Sequence, residues 1–104
     1  MPWITLTIAG LLEIVWATAM KQSDGFTKPW PTIVMLVGMV ASFWLLAVAM
    51  RELPLGTAYM VWTGIGAVGS FILGIILMGD PVTPLRLLAA GLIVAGIMTM
   101  KIAS

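Results

Sequence analysis

Residues 3–20 read WITLTIAGLLEIVWATAM, and the single acid in that stretch, Glu13, governs how the rest of the chain is understood. At 1.5 Å of rise per residue the run is ~27 Å long, enough to cross the hydrocarbon core of a bilayer as one helix. Glu13 lies ten residues past Trp3, so its depth is ~15 Å, close to the midplane. An acid there costs on the order of 2.5–3.5 kcal/mol by insertion scales, and residues carrying that cost usually line an ion or substrate path. The plainer alternative is an acid that hydrogen-bonds helices together and does no more.

The composition around this run is that of a membrane protein. Of 104 residues 62% are hydrophobic and 9% charged, against about 25% charged in soluble domains, and the mean hydropathy is +1.15. The length suits one transmembrane unit spanning 1–104, without room for a soluble domain beside it. A net charge of +1 offers no footprint for nucleic acid. The chain has neither cysteine nor histidine, which removes disulfides, thiol nucleophiles and most transition-metal sites, so no metal and no cofactor are expected. No second interior acid or base accompanies Glu13, which argues against an enzyme. The first run lacks a basic leader and a cleavage site, so it reads as a span and not as a removable signal.

Three further apolar runs follow, giving an all-α membrane protein with four transmembrane helices at about 3–20, 32–50, 58–78 and 85–102. The connection KQSDGFTKPWP carries charge, Gly25, Pro29 and Pro31. In RELPLG, Pro54 suits the first turn of the third helix, where its missing N–H has no partner to lose. Gly79-Asp80-Pro81 breaks the third run. The fourth has only Leu87–Met100 free of charge, but Arg86 and Lys101 can snorkel and complete the crossing. Trp3 and Trp30 flank spans as interface anchors, and Asp24, Glu52 and Asp80 read as solvated loop charges.

Four crossings put Arg51 and Lys101 on one side and Lys21, Lys28 and Arg86 on the other. Orientation follows an excess of Lys and Arg in cytoplasmic loops, and two against three is almost none. Insertion both ways up is therefore expected. Two oppositely inserted copies can share an in-plane two-fold axis, which brings only midplane residues of both copies to one level. Glu13 is at that level, and Ser42, ten residues into the second run, is ~15 Å from the opposite surface and level with it.

Candidate site residues gather by helical spacing. Gly10, Glu13, Trp16 and Ala17 share a face of the first helix. Gly10 leaves room one turn before the acid, and the Trp16 indole N–H is a donor able to hold a carboxylate. Ser42 is the one hydroxyl deep in the second run, with Gly38 a turn away. Tyr59, Trp62 and Gly66 share a face of the third, and Gly66, Ser70 and Gly74 continue it as a ridge for close helix contact. Gly64 and Gly66 together could bend that helix at mid-membrane, as a hinge. Gly91, Ala95 and Gly96 make the fourth helix a candidate dimer interface. The nine methionines read as adaptable packing, not a metal path.

The stretches Gly10-Leu-Leu-Glu13-Ile-Val-Trp16-Ala17, Ser42, and Gly56-Thr-Ala-Tyr59-Met-Val-Trp62-Thr-Gly64-Ile-Gly66-Ala-Val-Gly69 resemble the small multidrug resistance family, and Trp16 and Ser42 resemble its guanidinium exporter subtype. The resemblance covers the whole length. It implies an antiparallel, dual-topology homodimer exporting guanidinium-type cations in exchange for protons, from the bacterial inner membrane. It implies Glu13 as the shared ligand of cation and proton, and Trp16, Ser42 and Trp62 as the hydrogen-bond network ordering it. Tyr59 is implied near the substrate path, Gly10 as space beside the acid, and Gly64 to Gly66 as the bend. Met60 and Trp44 are bulkier than the subtype's usual residues and bear on the size range of substrates. An exporter of quaternary ammonium and polyaromatic cations is the alternative within the family, and a proton-carrying or structural membrane subunit the alternative outside it. The latter has no use for Trp16, Tyr59 and Trp62 around the acid.

Overall fold

The computed structural model describes residues 2–103 and contains four helices: α1 (Pro2–Gln22), α2 (Pro29–Ala49), α3 (Leu55–Met78) and α4 (Pro84–Ala103). Each is long and apolar enough to cross a membrane. A proline stands at or just before every helix start, where its fixed φ is already helical and its lack of an N–H costs nothing. Pro54 lies one place outside α3, with φ −57° and ψ 149°, and not in the first turn as its spacing had predicted. Its carbonyl still accepts the first helical bond, from Ala58 N at 3.0 Å. The opposite end of α3 is closed by Gly79 in the left-handed conformation, φ 68°.

The helices form a slab of 40 × 34 × 16 Å. α1 is its centre and packs along both α2 and α3, while α2 and α3 barely touch each other. α4 packs mainly on α3, with Lys101 reaching over the Trp3 ring of α1, and none of its residues is buried. Glycines set the close approaches. A Cβ at Gly10 would stand 2.7 Å from Ile65 Cγ2, one at Gly38 would stand 3.2 Å from Trp16 Cβ, and one at Gly64 would stand 2.6 Å from Ile97 Cδ1. Small residues facing large ones let apolar helices gain dispersion contacts that lipid would otherwise supply equally well.

The pairs Gly10 with Ile65, Glu13 with Gly66 and Ile14 with Gly69 advance together along both chains, so α1 and α3 run parallel and in register. At one end of this seam Leu6, Ala9, Leu46, Ala49, Ala58, Val61 and Trp62 form a closed core. The middle of the seam, one turn beyond Ala9, holds Glu13.

Candidate functional site

Glu13 presses its carboxylate against the backbone of α3 at Gly66, where any Cβ would collide with Oε1. The space beside the acid is thus made by a glycine of the neighbouring helix. Gly10, which helical spacing had suggested for that role, faces Ile65 instead. The reason is geometric: Cβ vectors on one helix share a face, but what occupies the space in front of them is decided by the helix opposite.

Ser42 is fully buried on α2 and ties three helices together. Its hydroxyl donates to the Ala9 carbonyl of α1 at 2.6 Å and accepts from the Trp62 indole Nε1 of α3 at 2.9 Å. Ala9 is one turn before Glu13, so its carbonyl is also the helical acceptor for the Glu13 N–H. Ser42 therefore holds the backbone that carries the acid and leaves the carboxylate alone. A hydroxyl that both donates and accepts costs little when buried.

Beside this satisfied node two polar atoms are buried without a partner: Glu13 Oε1 and Trp16 Nε1. The sequence spacing had suggested a bond between these two side chains, and within one chain they do not make it. Stranded buried donors and acceptors each cost about 1–3 kcal/mol, and such groups call for an explanation in a ligand, ion or function.

Aromatic rings line the same region. Trp16 meets Phe43 edge-on at 6.2 Å, Phe43 lies 5.6 Å from Trp62, and Trp62 lies 5.6 Å from Tyr59. Phe43 joins the two halves of this row, and sequence reasoning passed it over although it adjoins Ser42. An aromatic next to the one deep hydroxyl was the available signal. Tyr59 and Phe43 are 52% and 46% exposed, so the row opens to the outside of the single chain. α3 runs unbroken through Gly64 and Gly66, and both glycines serve helix packing, one against Ile97 and the other against Glu13. On α4, added Cβ atoms at Gly91 and Gly96 would meet nothing within 4 Å.

A carboxyl oxygen and an indole N–H, both buried and unpartnered on α1, thus lie in a set of apolar helices whose aromatic row includes that indole. A model of the small multidrug resistance protein family matches residues 1–93. The chain belongs to the small multidrug resistance family. This is a family of membrane transporters and not of enzymes, and its member here is a multi-pass membrane protein. The chain is 58% identical to the guanidinium exporter of Yersinia pseudotuberculosis over 104 residues, all of both proteins. It is 55% identical to the guanidinium exporters of Citrobacter freundii and Salmonella typhimurium, over all of this chain and 99% of each relative.

Proposed function

We propose that this protein exports guanidinium and related small substituted guanidinium cations in exchange for protons, as an antiparallel homodimer in the bacterial inner membrane. The observation that carries the reading is the pair of unpartnered polar atoms, Glu13 Oε1 and Trp16 Nε1, at mid-helix depth beside a fully bonded Ser42. The full-length relatives named guanidinium exporters support the substrate.

Guanidinium is planar, permanently charged and weakly hydrated, and a carboxylate takes it with two parallel hydrogen bonds, as it takes an arginine head. In the proposed dimer two Glu13 carboxylates meet. With no cation present, the same carboxylates can bind protons. Protons and substrate then compete for one pair of groups, and reorientation restricted to the occupied dimer turns competition into exchange. Two protons for one cation move one net charge, so a membrane potential contributes ~2.3 kcal/mol per 100 mV. The Ser42 bonds to Ala9 and Trp62 fix the helix turn beneath the acid, and Trp16 Nε1 is free to donate to the carboxylate of the loaded or partner-assembled state.

The dimer reading rests on α4, none of whose residues is buried and whose Gly91 and Gly96, with Ala95 between them, leave room for a second helix. Near-equal loop charges support the two opposite orientations. Labelling a cysteine placed at the carboxyl terminus tests them: copies reachable from both faces are expected, and access from one face only rejects the antiparallel arrangement. The transport reading is tested by guanidinium uptake into proteoliposomes under an imposed pH gradient. Uptake that follows the gradient is expected; a quaternary ammonium moved while guanidinium is not would give the protein to the other branch of the family, which the partly exposed Tyr59 and Phe43 would serve.

A further inference from the structure

The α1/α3 seam does not stop at Glu13. Continuing toward the ends of both helices, a crevice of ≈ 260 Å³ is lined by Ala17, Thr18 and Lys21 of α1 and by Ser70, Gly74 and Met78 of α3, with Asp80 at its mouth. Ala17 and Ser70, then Lys21 and Gly74, stand at the same sequence offset as Glu13 and Gly66, so these are the next two rungs of one parallel register. The deep end of the seam is the acid, Ile14 packs onto Gly69 beyond it, and the outer end has polar walls: Thr18, Lys21, Ser70 and Asp80.

Asp80 is an exposed loop charge, as its place in the sequence suggested, but the fold fixes where it stands. Gly79 turns the chain back with φ 68°, and Asp80 N donates to Gly74 O at 3.1 Å. The Asp80 side chain then lies over α3 at Gly74, where a Cβ would collide with Oδ2. A glycine in the left-handed region and a second glycine without a side chain thus aim one carboxylate across the mouth of the crevice. Lys21 stands on the opposite wall.

We propose that Asp80 is an outer station for the transported cation: its carboxylate receives guanidinium at the membrane surface, ahead of its passage to Glu13. This rests on the reading of Glu13 as the cation site. Lys21 and Glu13 are eight residues apart on α1, ~12 Å at helical rise, so Asp80 acts on approach and not on the bound state. A carboxylate at the mouth draws the cation in, offsets the repulsion from Lys21, and can hold the planar ion by two parallel hydrogen bonds before it moves inward. Such steering is screened by salt, with a Debye length of about 8 Å at physiological strength and 3 Å at 1 M.

The test compares guanidinium exchange by the full-length protein in proteoliposomes with equilibrium binding of guanidinium in detergent. Asp80→Asn is expected to lower the initial exchange rate at subsaturating guanidinium about threefold to tenfold at low salt, with binding affinity unchanged and the deficit vanishing toward 1 M salt. Gly74→Ala, which keeps the charge but displaces the carboxylate, should reproduce that deficit, and Asp80→Glu should stay within about twofold of wild type. An Asp80→Asn protein that exchanges at the wild-type rate overturns the outer station, as does a loss that is independent of salt or is matched by lost affinity. Those results leave Glu13 as the cation site; failure of the wild-type protein to exchange guanidinium overturns both readings.

Discussion

Ser42 and Glu13 lie on neighbouring helices, Ser42 against the turn of α1 that precedes the acid, and their surroundings differ in one respect that matters. The hydroxyl of Ser42 is fully buried and fully bonded, receiving from Trp62 and donating to Ala9. The carboxylate of Glu13 keeps one oxygen buried without a partner, and the indole N–H of Trp16, three residues along the same helix, is in the same condition. Both residues are polar intrusions into hydrocarbon, but the first closes a network that joins α1, α2 and α3 and the second leaves one open. A closed network fixes geometry. An open one has free energy to gain from something that arrives, which is the requirement for a binding site that must also let go.

The comparison breaks most sharply at Glu13. Glu13→Gln should abolish proton-coupled guanidinium exchange altogether, because an amide can neither titrate nor neutralise the cation; measurable coupled flux in proteoliposomes would remove Glu13 from its role. The next effect belongs to Gly66. Gly66→Ala places a methyl group where the carboxylate lies, and we expect guanidinium affinity to drop by more than about tenfold. Gly10→Ala meets only the Ile65 side chain and should weaken stability more than binding. Isothermal titration alongside thermal unfolding in detergent separates the two, and equal affinities for Gly66→Ala and wild type would show that the acid has space elsewhere.

On the closed side, Ser42→Ala strands the buried Trp62 donor and should cost about 1–3 kcal/mol of stability. Guanidinium affinity should fall with it, while hydrophobic cations held by the aromatic row lose less. An equal loss for both ligand classes would make Ser42 a purely structural tie. The smallest effect is expected at Trp16. Trp16→Phe removes an N–H that has no partner in the single chain, so the unliganded protein should be as stable as wild type or slightly more so. Substrate binding should weaken by about 0.5–1.5 kcal/mol, one hydrogen bond. A stability loss in Trp16→Phe without any change in binding would reverse the assignment of open and closed sides.

The number of helices and the depth of Glu13 are written locally. An apolar run of given length, punctuated by proline, glycine and charge, must bond its backbone to itself in a bilayer, and it does so as a helix irrespective of its neighbours. The residue types of the site were visible for the same reason, since an acid, a hydroxyl and an indole are conspicuous in hydrocarbon. Their pairing was not visible. Trp62 and Ser42 are 20 residues apart and Ser42 and Ala9 are 33 apart, and the rotation of each helix about its axis decides whether such groups meet. In a soluble protein an apolar stripe announces that rotation. Here the helices are apolar on every side, lipid tails are as apolar as leucine, and the sequence carries no such stripe. Only the packed structure therefore decided that Gly66 and not Gly10 makes room for the acid, that Phe43 bridges Trp16 and Trp62, and that Asp80 turns back over Gly74 to face the seam.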